Sequence, residues 1–411
     1  MRRLALMAPS DRTFDVVLLG ATGFVGRLTA EHMADAAPDG ARIAIAGRST
    51  ERLEQLRNHL GVAWPTVEVD VTDGGAVRRL AESTAVVATT VGPYLRHGLP
   101  VVEACAAAGT SYADLSGESV FVARSIERAH ELAQGTGARI VHSCGFDSVP
   151  SDLGVGLAHA AAGAVPLVEA TVQVRSLRGG ISGGTVDSLR QQLAAAQSDP
   201  SLRKTMADPF SLTGGPSVRL PRSSRPRGLR QDSSGRWQAP FVMAGYNQQI
   251  VQRSSFLTGW SYGQLMRYRE VVDTKSGLRG RLQAAGVATA SDALVAGLLF
   301  PPTRALLDRA LPAPGEGPSE KTMNAGRFAI DVDVYPVTGA PVRTRFAAPY
   351  DPGYRGTAVM LGQSALSLAF DDLPERAGVL TPMVAMGDAL AERLRQHRFT
   401  VETSSLGPAR A

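Results

Sequence analysis

Two kinds of hydrophobic pattern divide this chain of 411 residues. In the first 150 residues, short runs of consecutive apolar residues alternate with segments whose apolar side chains recur every three or four positions. Continuous apolar runs are typical of strands that are buried on both faces, as in a parallel sheet covered by helices. The alternation therefore predicts a Rossmann-type domain over residues 1–150. Its predicted strands are Val16–Leu19, Arg42–Ala46, Thr66–Val69, Ala85–Ala88, Ser111–Ala113 and Arg139–His142.

From Leu167 onward, single apolar residues alternate with single polar residues. Phe328–Tyr335 alternates strictly, which is the pattern of a strand with one buried and one solvent-facing side. Pro341–Phe346 follows it across a short turn, so we expect an antiparallel pair. The predicted fold class is α/β, with an N-terminal Rossmann-type parallel sheet and a second α+β domain, residues 151–374, that has a mainly antiparallel sheet. Two more strands are predicted for that sheet, Glu169–Leu177 and Gln264–Val272.

The first predicted strand runs into three evenly spaced glycines, Gly20, Gly23 and Gly26, and then into helical residues 27–36. A strand, a glycine turn and a helix in this order place the free N–H groups of the helix against the pyrophosphate of a dinucleotide. Gly20 permits the tight turn, Gly23 lets the backbone approach the phosphates, and Gly26 lets helix and strand pack closely. The alternative is an ordinary glycine-containing turn, but the flanking strand and helix favour the dinucleotide.

The end of the second predicted strand indicates which dinucleotide is bound. An acidic residue there would bind the ribose 2′-hydroxyl of NAD, whereas this chain has Arg48 followed by Ser49. A guanidinium and a hydroxyl suit a 2′-phosphate, so the sequence predicts NADP(H); the alternative is that Arg48 is a solvated charge. The predicted cofactor site consists of Gly20, Ala21, Thr22, Gly23, Phe24, Val25, Gly26, Arg48, Ser49, Asp70, Val71, Thr90, Val91, Gly92 and Pro93.

Candidate catalytic side chains follow the fourth predicted strand, whose carboxyl end faces the crevice where open α/β sheets bind ligands. Tyr94 is the candidate for donating a proton to the substrate or for orienting it. His97 precedes a helix predicted to start at Leu99, and we interpret it as a surface or capping residue. Ser116 and Glu118 also precede a helix; they are candidates for substrate binding, but helix capping is the favoured interpretation.

Composition narrows the possible classes of function. The net charge of +5 is too small for this length to indicate nucleic-acid binding. Two cysteines, Cys105 and Cys144, argue against a disulfide framework, and Cys144 is interpreted as a small buried side chain. The seven histidines have no ligand-like spacing, so no metal site is predicted. Residues 1–12 lack the features of a signal peptide and no apolar run is long enough to span a bilayer, so we expect a cytoplasmic protein.

Three further segments each have a functional and a structural interpretation. Gly179–Thr185 precedes a predicted helix over 186–196, and it would either receive an anion such as a thioester oxygen or form a flexible turn. Ala293–Pro302 is apolar and would line an acyl tunnel, lie on a membrane surface or pack in a core. Residues 200–236 are expected to form a long mobile loop whose charge suits an acidic carrier protein, or a merely solvated loop. The basic residues of this loop are Arg203, Lys204, Arg219, Arg222, Arg225, Arg227, Arg230 and Arg236.

Several separate segments together form a recognisable combination. They are Gly20–Gly26, Ala46–Arg48, Thr90–Tyr94, Tyr112–Glu118, Cys144–Asp152, Ser182–Thr185 and Gly378–Pro382. With them the chain resembles the saccharopine dehydrogenase-like superfamily, and it is most similar to the trans-acting enoyl reductases of actinobacteria. The resemblance extends over nearly the whole length.

The resemblance implies an NADPH-dependent enzyme that reduces an enoyl thioester carried on a polyketide synthase, in the synthesis of complex lipids. It also implies that residues 375–411 form a C-terminal unit whose helix, Thr381–Arg398, packs back on the NADP-binding domain. An acyl carrier protein is then an expected partner, while peripheral membrane association and a homo-oligomer stay open. Two other interpretations remain: a reductase of imines or ketones in the same superfamily, and a non-catalytic, lipid-associated NADP-binding scaffold.

Overall fold

A computed structural model describes residues 12–179, 183–214, 228–232, 234–300, 303 and 317–407. Four basic residues of the predicted loop, at positions 219, 222, 225 and 227, lie outside the described residues. So do Ser182 of the resembling segments and the prolines that end the apolar run, at positions 301 and 302. Within the described part, the strands form two sheets of seven strands each.

The first sheet is parallel throughout and has the strand order β13-β6-β5-β4-β1-β2-β3. One of its interior strands has side chains in two cores, because Val16 and Leu18 pack on one face and Val17 and Leu19 on the other. The predicted Rossmann-type sheet is therefore confirmed, with helices on both of its faces. Its strands are β1 (Phe14–Leu19), β2 (Ile43–Gly47), β3 (Thr66–Glu68), β4 (Thr84–Thr89), β5 (Ser111–Asp114), β6 (Arg139–Val141) and β13 (Gly378–Leu380).

The helices of this half alternate with its strands. They are α1 (Phe24–Ala36), α2 (Thr50–Leu60), α3 (Gly74–Ser83), α4 (Tyr94–Ala108), α5 (Ser119–Thr136) and α6 (Val149–Ala161). Helix α4 begins five residues earlier than Leu99, the predicted start, so Tyr94 and His97 lie within it. The cause is a tertiary contact: the carboxylate of Glu118 accepts hydrogen bonds from the backbone N–H groups of Tyr94 and Leu95 at 3.0 and 2.8 Å and so caps the helix.

The second sheet has the order β14-β12-β11-β7-β10-β9-β8, and all of its neighbouring strands are antiparallel except β7 and β10. The predicted mainly antiparallel sheet of an α+β unit is confirmed. Its strands are β7 (Leu167–Arg178), β8 (Arg230–Gln231), β9 (Arg236–Pro240), β10 (Arg267–Ser276), β11 (Arg327–Pro336), β12 (Val342–Ala348) and β14 (Thr400–Ser405).

The remaining helices lie between or after these strands. They are α7 (Gly183–Ser198), α8 (Pro200–Ala207), α9 (Ala244–Leu257), α10 (Gly277–Leu299), α11 (Glu320–Asn324), α12 (Thr357–Phe370), α13 (Pro382–Ala385) and α14 (Gly387–Gln396). A π-helical turn, Pro352–Gly356, leads into α12. The division of the chain at residues 150 and 374 stays a prediction.

Two predicted segments differ from the structure, and a third is part of a longer element. The loop over residues 200–236 is wrong where it includes α8, which Asp199 caps through a bond from the Ser201 N–H, and where it includes β8 and the start of β9. Residues 293–299 belong to the much longer helix α10. The predicted final helix is two helices, since Met386, with φ −128°, lies between α13 and α14 and has a non-helical backbone.

The end of the chain contributes to both sheets. Strand β13 pairs in parallel with β6, so that Val379 lies opposite Ile140, and β14 pairs with β12. These two strands join the C-terminal residues to both halves of the fold. Among the described residues, we find no helix that combines the length and apolarity needed to cross a bilayer.

Candidate active site

A cavity of about 920 Å³ lies between the carboxyl edge of the parallel sheet and segments from the later part of the chain, between Leu177 and Thr357. Most residues of the predicted cofactor site line it, whereas Ala21, Gly26 and Ser49 do not. The predicted residues on its surface are Gly20, Thr22, Gly23, Phe24, Val25, Arg48, Asp70, Val71, Thr90, Val91, Gly92, Pro93 and Tyr94. We call the cavity residues between Leu19 and His97 the glycine-turn wall.

The glycine turn is built so that side chains are excluded. Gly20 has φ +85°, and a Cβ on Gly26 would lie 2.2 Å from the carbonyl oxygen of Gly20. No side chain caps α1, and its first turn has no acidic residue. The first N–H groups of α1 therefore have no side-chain acceptor or competing anion, and Gly23, Phe24 and Val25 line the cavity, which fits the pyrophosphate of a dinucleotide.

The far end of the glycine-turn wall carries positive charge. Arg48, Arg52 and His97 line the cavity there together with Asp70. The carboxylate of Asp70 accepts bonds from the N–H and hydroxyl of Thr72, which lower its pKa, and the charges of Arg48 and His97 lower it further. Sequence reasoning missed Arg52, although its position four residues after Arg48, on the first turn of α2, was a usable signal.

Ser49, which is predicted to bind the cofactor, has a structural contact in addition. Its hydroxyl oxygen accepts a hydrogen bond from the Arg52 N–H at 3.3 Å and so caps α2. Capping uses the oxygen and leaves the hydroxyl hydrogen as a donor. The contact fixes the first turn of α2, and with it the backbone of Arg52, beside Arg48.

Tyr94 lines the cavity, but its hydroxyl is bound to the backbone on both sides. It donates to the carbonyl oxygen of Thr89 at 3.2 Å and accepts from the N–H of Leu115 at 3.1 Å. Burial, together with the charge of Asp114, raises its pKa well above the ordinary tyrosine value. These bonds tie the end of β4 to the end of β5, which is an orienting arrangement.

Buried polar groups support the wall from behind. The carboxylate of Asp114 accepts bonds from the hydroxyl of Tyr112 and the N–H of Ser143, and it lies 2.7 Å from Nδ1 of His142. Although burial opposes ionisation, these partners hold the pKa of Asp114 below its ordinary value. Ser143, with φ +65°, also contacts the hydroxyl of Tyr246 at 2.6 Å, so the ends of β5 and β6 are joined to α9.

Neither Ser116 nor Glu118 caps the helix that follows it, because no side chain caps α5, whereas Cys144 is buried as interpreted. Glu118 caps α4 and accepts a third bond from the hydroxyl of Ser188 on α7, at 2.7 Å. Ser116 donates from its N–H and hydroxyl to Asp114. Cys144 is buried, and burial raises the pKa of its thiol. None of these contacts provides an activated nucleophile.

Another part of the cavity lining is mostly apolar and comes from widely separated segments. Apart from the apolar run that contains Leu294, sequence reasoning did not assign its side chains to the site. We call them the apolar wall: Leu115, Phe146, Leu177, Leu189, Phe241, Val242, Met243 and Leu294. Leu294 shows that α10 reaches the cavity, as one interpretation of the apolar run proposed. Tyr354 and Thr357 line the cavity as well.

Few polar side chains line the cavity beside the apolar wall. Asp147, Asp187, Ser188 and Gln192 line the cavity on this side. Gln192 donates to the carbonyl oxygen of Gly117 at 3.0 Å, so α7 is held to the nucleotide half by two side chains, Ser188 and Gln192. Over the described ranges, no three His, Cys, Asp or Glu side chains are grouped so that they could bind a metal ion.

Known proteins resemble this chain at two levels. Residues 16–141 match the family model of the saccharopine dehydrogenase NADP-binding domain. A saccharopine dehydrogenase (L-Glu forming) from Saccharomyces cerevisiae has the same fold, with a TM-score of 0.54, 12% identity, and coverage of 95% of this chain and 99% of that one. The NADP-binding domain confirms the predicted cofactor, NADP(H).

Relatives of much higher similarity match the whole chain. A Mycobacterium tuberculosis protein that is provisionally named a trans-acting enoyl reductase is 45% identical over 419 residues, covering 97% of this chain and 100% of the relative. The trans-acting enoyl reductase of Mycobacterium ulcerans is 40% identical, again over 97% of this chain and 100% of the relative. The prediction of an NADP-dependent oxidoreductase from sequence motifs is thereby confirmed. The chain belongs to the trans-acting enoyl reductase family, within the saccharopine dehydrogenase-like superfamily.

Proposed function

We propose that this protein is an NADPH-dependent trans-acting enoyl reductase that reduces an α,β-unsaturated acyl thioester in polyketide or complex-lipid biosynthesis. The observation that carries the proposal is the single cavity with two unlike walls. One wall is a glycine turn with basic residues at its far end, and the other is apolar. A dinucleotide and a fatty acyl chain need these two surfaces side by side.

The glycine-turn wall would hold the cofactor. The turn and the N-terminus of α1 would bind the pyrophosphate, and Asp70 and Val71 would lie at the adenine. Arg48, Ser49 and Arg52 would bind the 2′-phosphate, with two guanidinium groups and one hydroxyl as donors. The segment from Thr90 to Pro93 would pass the nicotinamide ribose; its first residue is fixed by a bond from the Thr90 hydroxyl to the Gly20 carbonyl oxygen at 3.0 Å.

The chemistry needed from the protein is modest. When bound, NADPH supplies the hydride that adds to the β-carbon of the enoyl group. The chain must position the thioester, exclude water and provide a proton for the α-carbon. Tyr94 would act as the orienting residue, since its two backbone bonds fix the ends of β4 and β5. The apolar wall would bind the acyl chain by burial of its methylene groups.

The acyl group would be delivered by an acidic carrier protein. Four basic residues of the predicted loop are described by the structure, and all are exposed: Arg203, Lys204, Arg230 and Arg236. Complementary charge speeds the encounter of such partners, and its effect falls as salt is added. Weaker turnover of carrier-bound substrate at high salt, with turnover of the pantetheine thioester unchanged, would support this partner.

Helix α10 offers a place for contact with lipid. Leu278 and Leu282, one helical turn apart, are 70% and 65% exposed, and Phe300 just beyond the helix is 59% exposed. Lys275 and Arg279 flank this stripe. A cytoplasmic protein with such a helix would attach peripherally to an anionic membrane. Flotation with anionic vesicles, reduced in Leu282→Glu, would support this; whether the protein forms a homo-oligomer would be read from its sedimentation.

One assay tests the proposed activity against the two alternatives. The purified protein is mixed with NADPH and an enoyl pantetheine, and the loss of NADPH is followed together with the acyl product. Reduction of the enoyl thioester supports the proposal. NADPH binding without turnover would favour a scaffold, and turnover only with imines or ketones would favour the other reductase. Either result would refute an enoyl reductase.

A further inference from the structure

The cavity contains two tyrosines whose surroundings differ. The hydroxyl of Tyr94 is committed to the backbone of Thr89 and Leu115 within one half of the fold. Tyr354 enters from the other half of the chain, on the π-helical turn before α12. Tyr354 is 2% exposed, so it is a buried residue that lines the cavity.

The turn that carries Tyr354 is held firmly. The two carboxylate oxygens of Asp351 accept bonds from the N–H groups of Tyr354 and Arg355 at 2.9 and 3.0 Å. The hydroxyl of Thr357 donates to the carbonyl oxygen of Pro352 at 2.9 Å. Short π-helical segments recur at functional sites. Tyr354 is the middle residue of this one.

The position of Tyr354 joins the two walls. Its ring packs edge-on against Phe24 of the glycine turn, with centroids 5.0 Å apart and an interplanar angle of 76°. Three residues later, the hydroxyl of Thr357 accepts a bond from the N–H of Phe146, which belongs to the apolar wall, at 3.1 Å. Tyr354 therefore lies where a cofactor on one wall and an acyl chain on the other would meet.

The oxygen of Tyr354 has a partner that favours its ionised form. It accepts a hydrogen bond from the N–H of Gly183 at 3.3 Å, and Gly183 is the first residue of α7, a helix of 16 residues. A donor at a helix N-terminus stabilises a negative oxygen through the bond and the helix dipole. Burial raises the pKa of Tyr354, so the phenol is protonated before the reaction.

We propose that Tyr354 is the catalytic acid that protonates the α-carbon of the enoyl thioester, an inference that rests on the proposed function. The hydride adds to the β-carbon, and the electron pair of the carbon–carbon double bond moves to the α-carbon and the thioester oxygen. The O–H bond of Tyr354 then breaks and a C–H bond forms at the α-carbon. The phenolate is held by the Gly183 N–H until water returns a proton to it.

The experiment compares wild type with Tyr354→Phe, which keeps the ring and its contact with Phe24. The substrate is a 2-methyl-2-butenoyl pantetheine, whose reduced product has a stereocentre at the α-carbon. Wild type is expected to give one epimer. The variant is expected to lose on the order of 100-fold in kcat and to give both epimers, since water then protonates either face. Its affinity for NADPH should stay within about twofold of wild type, because the cofactor contacts are intact.

Binding provides a readout that does not require turnover. Calorimetry with butyryl pantetheine and NADP+ is expected to show about fivefold weaker binding in Tyr354→Phe, because a phenol placed at the α-carbon would also donate a hydrogen bond to the adjacent thioester oxygen, and the variant lacks it. The matched control is Tyr350→Phe, whose hydroxyl contacts the His397 carbonyl oxygen and lies off the cavity. It should match wild type in kcat and product stereochemistry.

Two results separate the inference from the function on which it rests. Undiminished kcat with one epimer in Tyr354→Phe would overturn the role of Tyr354 while leaving the reductase in place. No reduction by wild type would refute the proposed function, and unchanged butyryl pantetheine affinity in the variant would then overturn the contact of Tyr354 with the thioester as well.

Discussion

The two walls of the cavity differ in how the chain builds them. The glycine-turn wall comes from the ends of β1, β2, β3 and β4, and all its residues lie between positions 19 and 97. The apolar wall takes Leu115 from one loop and Leu177, Val242 and Leu294 from β7, the β9–α9 connection and α10. One wall is set by backbone geometry, and the other by apolar side-chain volume. Backbone sites tolerate no added atom, whereas apolar surfaces lose affinity gradually.

The strongest effect is expected where the backbone itself is the site. Gly26→Ala adds a Cβ that would lie 2.2 Å from the carbonyl oxygen of Gly20 and 2.9 Å from Cα of Ala21, so the turn must open. We expect NADPH affinity to fall by about 100-fold or more and the melting temperature to drop, since overpacking typically costs 1–3 kcal/mol. Calorimetric titration and thermal unfolding measure the two effects.

The matched control is Gly135→Ala, at a helical glycine with open space around its Cβ. It should unfold at the same or a slightly higher temperature, because alanine is the better helix former. If Gly26→Ala bound NADPH like wild type, the glycine-turn wall would not be set by its backbone, and the contrast between the walls would fail.

The next effect concerns a buried carboxyl behind the apolar wall. Glu270 on β10 accepts bonds from Asn247, Tyr268 and Ser151, yet burial raises its pKa to about 7. A carboxyl whose pKa is higher folded than unfolded stabilises the fold fully below its unfolded pKa. That contribution is lost as the pH rises through the folded value. Between pH 4.5 and 7, wild type should lose about 3 kcal/mol from this group.

Urea unfolding of wild type and Glu270→Gln across that range measures the difference. Glutamine at position 270 cannot ionise. The free energy of unfolding of the variant should therefore fall by about 3 kcal/mol less than that of wild type over this pH range. Asp114, behind the glycine-turn wall, supplies the contrast: its pKa is lowered by His142 and neighbouring N–H groups, so its contribution is present at neutral pH and lost as the pH falls. If the free energy of unfolding changed with pH equally in wild type and Glu270→Gln, the raised pKa of Glu270 would be refuted.

Sequence patterns predict one wall much better than the other. The glycine turn, the arginine after β2 and the Thr90–Pro93 segment are each local, so the strand before them is enough to place them at one sheet edge. Leu177 looks like an outward residue of an alternating strand, and it is indeed 46% exposed at the cavity mouth. Only the pairing of β7 with β11 and β10, far apart in sequence, brings it to the cavity.

Two details show the same limit at single residues. The start of α4 is set by Glu118, 24 residues from Tyr94, and no local pattern contains that contact. Tyr354 lies between Pro352 and Gly356, which look like a surface turn in the sequence, whereas the π-helical turn directs it inward. The fold class followed from periodicity, but the acyl-binding side of the site depends on tertiary contacts.

A smaller effect is expected at the basic end of the glycine-turn wall. Arg48→Ala removes one of two guanidinium groups that line the cavity there, the other being Arg52. Because the site is exposed, we expect about a tenfold loss of NADPH affinity and almost no change for NADH, which lacks the 2′-phosphate. Arg57→Ala, on α2 with Arg52 but off the cavity, should leave both affinities unchanged. Equal losses for the two cofactors would mean that Arg48 does not recognise the 2′-phosphate.

The smallest effect should come from trimming the apolar wall. Leu294→Ala removes part of a half-buried side chain on α10, so the surface next to the acyl chain recedes without any change in backbone or charge. We expect KM for an octenoyl pantetheine to rise about fivefold and KM for a butenoyl pantetheine to change little, because only the longer chain reaches this surface. Leu265→Ala, at a leucine that is 68% exposed and off the cavity, is the control and should alter neither value. A graded dependence on chain length is what a volume-set wall requires. An equal rise for both substrates would instead place Leu294 at the thioester, and the two walls would then share one kind of constraint.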